Sequence, residues 1–476
     1  MICKHYITYV QIFNYNKEQI MKITPLGAAK EVTGSMFLIE YNEKKMIVDC
    51  GLFQGGYDAV LKNSSFPFDA KEIDAVVLTH AHLDHSGRVP MLGKFGYNNP
   101  IYATVPTCDL LSGMLLDSAK IQMEDYERKL RKNPRRGLST PILMYDTEDV
   151  YYILRRLNPM DYDDVFEPIQ GLKVTFRQGG HILGAASIEI TNNEGKKVYF
   201  SGDIGGFDRN IVNDPDFPPE CDFIFCESTY GNRLHRSYQA SVDELAEAIN
   251  EALKNGGNVI IPTFALERAQ DLLYVMRELS EAGRIPNNPI FLDSPLAVNI
   301  TKLYNEHIDD LNANANIAAN RVKDPFVFEN VHVVKTGNES RALNTFSGII
   351  ILAGSGMATG GRIKHHLKHN LWKSNSSIVF VGYQAQNTLG RKIVDGANFV
   401  EIEGERIAVR ANIYTINGFS AHADRDELAK WLKYSKHATI VLNHGEHSVI
   451  EIFKDYLEKE YKRTVIIADT EHPINI

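Results

Sequence analysis

The chain has 476 residues, more than a single compact core holds, so the sequence predicts two lobes. Hydrophobic residues make up 44% and charged residues 23%, as in ordinary globular proteins, and no apolar run approaches the ~18–20 residues of a membrane span. The formal net charge of −9 disfavours a nucleic-acid binder with a broad basic face, but not one with a cleft lined by metal ions and a few basic side chains.

Residues 1–20 and the cysteines indicate in which cellular compartment the protein works. Residues 1–20 have neither the apolar run nor the small-residue cleavage site of a secretory signal, and we expect an N-terminal extension without chemistry ahead of a chain start at Met21. The 5 cysteines show no Cys-x-x-Cys pairing. We therefore expect reduced thiols and a cytoplasmic protein.

Two apolar strand patterns follow Lys22, and the second ends at Asp49 just before Gly51. A carboxylate in that position often orients a neighbouring loop. The next strand pattern, Ile73 to Leu78, leads directly into a short segment with three histidines and one aspartate: His80, His82, Asp84 and His85. Imidazole and carboxylate suit Zn²⁺ and similar ions, and this order can serve two neighbouring ions. A solvated polar turn does not account for four such residues in sequence.

Residues 107–160 are helical in pattern, with an apolar stripe that predicts a core-facing helix. Their dense basic run, 128–136, fits a solvated helix end and an RNA contact equally well. Further on, His181 lies between glycines, which allow close backbone approach. Asp203 and Glu227 each follow an apolar strand pattern, so both are candidates for the same site.

From 232 to about 405, strand patterns alternate with helical ones, which predicts a parallel, doubly wound sheet. The glycine-rich segment 354–362 could hold a phosphate through backbone N–H groups or simply form a tight strand-to-helix turn. It lacks the Lys-Ser/Thr pair of a P-loop. After the insertion, strand patterns end at His422 and at His444, the same placement as in the first cluster. The chain is therefore expected to leave its first domain near 232 and to return to complete it.

The segment 79–87 resembles the signature of the metallo-β-lactamase superfamily. Glu227, the Phe-Ser-Ala-His ending at His422, and the Asn-His-Gly-Glu around His444 resemble motifs A, B and C of its β-CASP branch, whose members process RNA or DNA. The segments 355–362 and 382–391 resemble those of bacterial homologues of the nuclease subunit of the pre-mRNA cleavage and polyadenylation machinery. A histidine in motif C is similar to the RNA-acting members.

The resemblance implies an α/β fold: a metallo-β-lactamase αββα sandwich with an inserted doubly wound parallel-sheet β-CASP domain. The expected domain limits are 1–20 for the extension, 21–231 and 406–476 for the metallo-β-lactamase domain, and 232–405 for the β-CASP domain.

The resemblance also implies a site with two Zn²⁺ ions, and Mn²⁺ stays open because nitrogen and oxygen ligands do not exclude it. The implied ligands are His80, His82 and His181 for one ion, Asp84, His85 and His444 for the other, and Asp203 for both. Asp49 would support the histidines by hydrogen bonding. The implied catalytic residues are Asp84, Glu227 and His422, with His422 protonating the leaving 3′-oxygen. Candidate substrate contacts are Arg268, Ser355, Gly356 and Met357.

The function implied is a zinc-dependent ribonuclease of single-stranded RNA, an endonuclease with 5′-exonuclease activity left open. A small-molecule hydrolase of thioesters or lactones, a non-catalytic RNA-processing subunit and a deoxyribonuclease are the alternatives. We expect no membrane partner and leave a homodimer open.

Overall fold

The computed structural model describes residues 20–321, 324–385 and 387–476. Apart from Ile20, the expected N-terminal extension lies outside these residues. Within these residues, strands and helices are numbered in chain order, and the strands form three main sheets and a small hairpin. Within the described residues, no helix combines the length and the apolar character that crossing a membrane requires.

The first sheet has seven strands in the order β22-β1-β2-β3-β4-β5-β6. Its strands are β1 (Lys22–Gly27), β2 (Met36–Tyr41), β3 (Lys44–Val48), β4 (Ala75–Val77), β5 (Ile101–Thr104), β6 (Leu157–Met160) and β22 (Ile474–Asn475). The helical pattern assigned 157–160 to a helix, but these residues pair in parallel with β5, and the sheet pairing overrides the local pattern.

The second sheet also has seven strands, in the order β21-β20-β11-β10-β9-β8-β7. Its strands are β7 (Val165–Ile169), β8 (Leu172–Gln178), β9 (Ala186–Asn192), β10 (Lys197–Phe200), β11 (Phe223–Glu227), β20 (Thr439–Asn443) and β21 (Val465–Ile467). Strand β20, from the end of the chain, lies in parallel beside β11, from before the insertion. The returning chain therefore completes this sheet.

The two sheets pack face to face. Phe37 of β2 lies between sheets with its ring centroid 5.1 Å from that of Phe200 and 5.3 Å from that of Phe225. All three are buried, and close aromatic packing of this kind stabilises a core beyond simple area burial.

Helices cover both outer faces of this pair of sheets. Those from the first half are α1 (Tyr57–Lys62), α2 (Leu83–Ser86), α3 (Val89–Lys94), α4 (Val105–Lys132) and α5 (Thr147–Leu154), and those from the end are α13 (Arg425–Leu432) and α14 (His447–Tyr461). Apolar residues of α3, α4 and α5 pack on the first sheet, and those of α13 and α14 on the second. The expected αββα sandwich is confirmed.

The inserted sheet has six parallel strands in the order β14-β13-β15-β12-β16-β19. They are β12 (Val259–Pro262), β13 (Ile290–Asp293), β14 (Val331–Val333), β15 (Ile350–Ala353), β16 (Ser377–Phe380) and β19 (Asn412–Thr415), with the hairpin β17 (Phe399–Ile402) and β18 (Glu405–Ala408) nearby. The expected strand ending at His422 is wrong: β19 ends at Thr415 and belongs to the inserted sheet, because it pairs with β16.

Helices lie on both faces of the inserted sheet, as a doubly wound sheet requires. They are α6 (Tyr238–Lys254), α7 (Arg268–Glu281), α8 (Pro295–Glu306), α9 (Ala313–Arg321), α10 (Gly337–Ala342), α11 (Ile363–Asn370) and α12 (Leu389–Val394). Neighbouring residues of β12 face opposite ways: Ile261 joins the cluster with α6, α7 and α8, and Ile260 joins the cluster with α11 and α12. The predicted doubly wound sheet is confirmed.

Candidate metal centre

The first histidine cluster lies on the loop and short helix that follow β4. His82 is the N-cap of α2, so His80 precedes the helix, whereas Asp84 and His85 lie in it. Backbone hydrogen bonds from Cys50 N to His85 O and from Ser35 N to Asp84 O fix α2 against the loop after β3 and against the residue that precedes β2. Gly51 is required there, because a Cβ atom would come within 1.6 Å of Asp84 O.

Three imidazoles converge on one point. His82 Nδ1 lies 3.1 Å from His80 Nε2 and 3.2 Å from His181 Nε2. His181 is carried by the loop between β8 and β9, so residues distant in sequence meet here. One carboxylate oxygen, Asp203 Oδ2, lies 3.6 Å from both His80 Nε2 and His181 Nε2. Together these four side chains form a group that could hold a metal ion.

A second group lies next to the first. His85 Nε2 and His444 Nε2 are 3.1 Å apart, and Asp84 Oδ2 is 3.8 Å from His444 Nε2. The other oxygen of Asp203, Oδ1, lies 3.3 Å from His85 Nε2 and 3.5 Å from His444 Nδ1. The Asp203 carboxylate thus presents one oxygen to each group, which is the placement that a bridging ligand needs. Asp203, Glu227 and His444 also lie close enough to form a third, overlapping group.

Burial sets the charge of the first group. Burial and the positive charge of neighbouring histidines hold the pKa of His80 and of His181 well below the usual range. Burial also lowers the pKa of His82 to about 4, against the opposing charges of Asp84 and Asp203. All three imidazoles are therefore neutral at neutral pH, the form that offers a lone pair to a metal ion.

In the second group, charge interactions outweigh burial in setting the pKa values. Burial acts to lower the pKa of His85, but the negative charges of Asp203 and Asp49 outweigh it and raise that pKa well above the usual range. Burial acts to raise the pKa of Asp84, but its hydrogen bond and charge interaction with His444 lower it to about 2. The second group therefore carries ionised carboxylates and a protonated His85, whose proton a bound divalent cation would displace.

The donor atoms fit zinc. Nitrogens bound to one tetrahedral zinc ion at ~2.0–2.1 Å are ~3.3 Å apart, close to the separations within the first group. Within the described part of the chain, His181 Nδ1 is buried without a hydrogen-bond partner, and Asp203 Oδ1 makes no hydrogen bond of good geometry although His85 Nε2 lies 3.3 Å away. Buried polar atoms are normally satisfied, so an unsatisfied carboxylate oxygen among imidazoles is consistent with a cation at this place.

Asp49 hydrogen-bonds to the first histidine cluster. Its Oδ2 lies 2.6 Å from His85 Nδ1, and its Oδ1 accepts the backbone N–H of Thr79 at 2.8 Å. The Thr79 hydroxyl in turn lies 3.0 Å from His80 Nδ1, so it links the two groups. Sequence analysis assigned no role to Thr79, although its place directly before His80 was the available signal.

Glu227 and His422 form a pair beside both groups. Glu227, at the end of β11, is fully buried, and its Oε1 accepts the backbone N–H of Ile204 at 2.7 Å. His422 Nδ1 lies 3.1 Å from each Glu227 oxygen, and the His422 ring centroid is 4.5 Å from that of His181. Burial acts to lower the pKa of His422, but the charges of Glu227 and Asp203 outweigh it and raise that pKa to about 9. The side chain of His422 is 21% exposed, so it can reach a bound molecule.

The expected substrate contacts lie in two places. Arg268, at the start of α7, lines a small cavity with His181, but its guanidinium is paired with Asp271 at 2.9 Å. The Ser355 hydroxyl accepts the backbone N–H of Thr359 at 3.1 Å, and the carbonyls of Gly356 and Met357 accept hydrogen bonds within the inserted domain. The structure therefore brings Arg268, but not the glycine-rich loop, into contact with the cavity beside His181.

Sequence analysis missed several residues around this cavity. It is lined from the sandwich by Arg209 and Ala421 and from the insertion by Tyr238 and Glu267. Glu267 accepts a hydrogen bond from the Tyr304 hydroxyl at 2.5 Å, and burial raises its pKa to about 8. No sequence signal marks these residues, since they meet only when the lobes pack.

Known families match the chain in order. The metallo-β-lactamase superfamily matches residues 29–263, the β-CASP domain residues 269–393, and the Zn-dependent metallo-hydrolase RNA specificity domain residues 406–468.

Two curated relatives match most of the chain. Ribonuclease TTHA0252 of Thermus thermophilus is 40% identical over 427 residues, covering 90% of this chain and 93% of the relative. Transcription termination factor FttA of Methanocaldococcus jannaschii is 31% identical over 463 residues, covering 94% of this chain and 70% of the relative. Among solved structures, a protein of unknown function from Enterococcus faecalis shares the fold with a TM-score of 0.56 at 12% identity, covering 96% of this chain and 100% of that chain.

Proposed function

The chain belongs to the β-CASP branch of the metallo-β-lactamase superfamily, and on this premise we propose that it is a metal-dependent ribonuclease that hydrolyses phosphodiester bonds of single-stranded RNA. One observation carries the proposal: the Glu227–His422 pair lies directly beside the two groups of metal ligands. A proton donor next to a metal centre is what cleavage of a bond with a poor leaving group needs. The RNA specificity domain and the relative named as a ribonuclease support RNA as the substrate.

We assign two zinc ions to the centre, with manganese as the alternative ion. The first group would hold one ion, the second group the other, and Asp203 would contact both. The convergent nitrogens and the two orientations of the Asp203 oxygens support this assignment. When bound, zinc supplies a water of lowered pKa and positive charge that offsets the charge of the phosphoryl oxygens.

His422 is the proton donor to the leaving 3′-oxygen. Its Nδ1 faces Glu227, so its Nε2 is the nitrogen available to substrate. The two oxygens of Glu227 hold the ring in place and stabilise its charged form, because an opposite charge favours the protonated imidazole. Asp84, whose side chain is 22% exposed, is the ligand best placed to orient an attacking water as well, and we keep it among the catalytic residues.

The substrate is single-stranded and is cut internally in this proposal, with cleavage from the 5′ end as the second mode. Residues of both lobes line the small cavity beside His181, so the lobes meet next to the first group, which favours a single strand over a wider duplex. A thioester or lactone hydrolase has no need for the inserted domain or the Glu227–His422 pair. A deoxyribonuclease is disfavoured by His444, and a non-catalytic subunit by the complete ligand set.

Domain limits, location and assembly also belong to the proposal. We place the inserted domain at 232–415, beyond the expected end at 405, because β19 pairs with β16. Cys50, Cys108, Cys221 and Cys226 are free thiols, which supports a cytoplasmic location. The proposal is compatible with either a monomer or a homodimer.

The test is cleavage of one single-stranded RNA, labelled at either end, by metal-loaded wild type and by Asp84→Ala/His85→Ala. Internal products from the wild type alone would support an endonuclease, and 5′ mononucleotides an exonuclease. If wild type with bound metal leaves RNA intact but hydrolyses a lactone or thioester, the ribonuclease proposal is wrong.

A further inference from the structure

A line of side chains leads from His422 to the inserted domain. The ring centroid of Tyr230 lies 5.9 Å from that of His422, and the Arg233 guanidinium lies 5.3 Å from the Tyr230 ring. The same guanidinium also lies 6.0 Å from the ring of Tyr383. Tyr230 and Arg233 follow β11 of the sandwich, whereas Tyr383 follows β16 of the inserted sheet. The line therefore crosses from one lobe to the other.

The cation in this line has no counter-ion. In the part of the chain that the structure describes, no carboxylate forms an ion pair with Arg233, and its Nε donates only to the neutral Asn232 side chain at 3.2 Å. Arg233 is exposed, and Tyr383 is 36% exposed. By contrast, Arg236, three residues on, is engaged by Glu244 at 2.9 Å. An exposed guanidinium between two aromatic rings can bind an anion that arrives from solvent.

The position of Arg233 is fixed by its surroundings. Its backbone N–H donates to Tyr230 O and its carbonyl accepts the N–H of Arg425, both at 3.2 Å. Gly231, in the same turn, packs so closely on α14 that a Cβ atom would come within 2.6 Å of Phe453. Across the cleft, the Tyr383 hydroxyl donates to Glu446 at 3.3 Å. Because the backbone that carries Arg233 is held in place, only the side chain loses freedom when the guanidinium binds a phosphate.

We propose that Arg233, between Tyr230 and Tyr383, binds a backbone phosphate of the RNA on the 5′ side of the cleaved bond. The inference rests on the proposed function, because the side is assigned through His422. If His422 protonates the leaving 3′-oxygen, the nucleotides beyond it belong to the 5′ fragment. Arg233 lies beyond His422 along the line described above, so it meets that fragment. Tyr383 offers its exposed ring to a base of the same segment.

A purely structural role makes a different prediction. If Arg233 only joins the two lobes, its loss disturbs every substrate equally and lowers the stability of the fold. If it binds a phosphate, its loss affects only substrates that carry that phosphate. The two roles are therefore separable by changing the substrate rather than the protein.

The experiment uses the metal-loaded protein and one RNA whose cleavage position has been mapped with the wild type. Single phosphates at the first, second and third linkages on either side are replaced by uncharged methylphosphonates. For wild type, we expect one replacement on the 5′ side to lower kcat/KM about tenfold, as for loss of a charged hydrogen bond. Arg233→Gln should be about tenfold slower on unmodified RNA and show less than a twofold further loss at that linkage. Arg236→Gln, a neighbouring exposed arginine, is the matched control and should behave like wild type.

Two further measurements complete the test. The slope of log affinity against log salt should fall by about 0.7 in Arg233→Gln, as for one lost phosphate contact to a single strand. Hydrolysis of bis(p-nitrophenyl) phosphate, which has no 5′ segment, should equal wild type. Lower activity on this small ester, or a full methylphosphonate effect in Arg233→Gln, would overturn the inference.

Failure of the proposed function gives another result. Wild type that cleaves no RNA contradicts the ribonuclease assignment, and binding then decides the role of Arg233. Equal RNA affinity and equal salt dependence of wild type and Arg233→Gln, measured by fluorescence anisotropy, would overturn the phosphate site.

Discussion

His422 Nδ1 lies 3.1 Å from both carboxylate oxygens of Glu227, although 195 residues separate them in the sequence. The contact forms because the segment carrying His422 pairs with the strand-end loop of the sandwich, where the Ala423 N–H donates to Ile204 O at 2.7 Å. The same Ile204 donates its own N–H to Glu227. One backbone residue therefore aligns both members of the pair.

His422→Ala should lose most turnover and keep its metal. Removing a positioned proton donor typically costs 10²–10⁴-fold in rate, so we expect kcat to fall about that far. Metal content measured by atomic emission should match wild type, because His422 lies outside the groups assigned as ligands. Loss of metal together with activity would instead identify His422 as a ligand.

Glu227→Gln should lower kcat less than His422→Ala does. The amide can still accept a hydrogen bond from His422 but no longer supplies the charge that favours its protonated form. We expect the double variant to be no slower than His422→Ala alone, since both changes remove one function. Independent, multiplying losses would show that the two residues act separately.

Asp49→Ala should weaken metal binding without removing a metal ligand. Asp49 holds His85 and Thr79, and loss of such supporting partners typically lowers metal affinity 10–100-fold. Zinc affinity measured by competition with a chelator should show this loss. Ser35→Ala is the control, because its hydroxyl makes only a 3.3 Å contact with the same carboxylate.

Removing the metal should destabilise the fold. Without a cation, the buried imidazoles and the Asp203 carboxylate lose the partner that their arrangement fits. At a free zinc concentration ~100-fold above its Kd, binding to the folded state alone adds about 2.7 kcal/mol to the unfolding free energy. Denaturant unfolding before and after chelation should show this difference, and His181→Ala should show less of it.

Ionisation of the buried Glu267 should lower the free energy of unfolding as pH rises. Burial raises its pKa to about 8, against the hydrogen bond from Tyr304, whereas in the unfolded chain the pKa is ~4.3. Between these values the folded state binds more protons than the unfolded state, so the unfolding free energy decreases as pH rises. Glu267→Gln stays uncharged and should lack this decrease. Its unfolding free energy relative to wild type should therefore increase from about pH 5 to about pH 8, and a constant difference would contradict the assignment.

That the candidate ligand residues lie together could be predicted because each lies just after an apolar strand pattern. His181, Asp203 and His444 were found in this way despite their separation, and the structure brings them within reach of the first cluster. Strand ends are local features with a strong hydrophobic signal. The doubly wound insertion was predicted for the same reason.

The features that sequence analysis missed depend on packing between the lobes. Tyr230 and Tyr383 belong to different domains, and nothing in either segment predicts that both rings lie near Arg233. Sequence analysis assigned β19 to the metallo-β-lactamase domain, because its four residues have the pattern of any short strand. Only the pairing with β16 assigns it to the inserted sheet. Glu267 gives no local indication of the burial that raises its pKa.

The late strand β20 has a consequence for how the protein is made. It inserts between β11 and β21, and it carries His444 into the centre at its end. A ribosome releases the first histidines, Glu227 and the whole inserted domain before it releases this strand. The candidate ligand set of a nascent chain therefore stays incomplete until β20 has left the ribosome and taken its place beside β11.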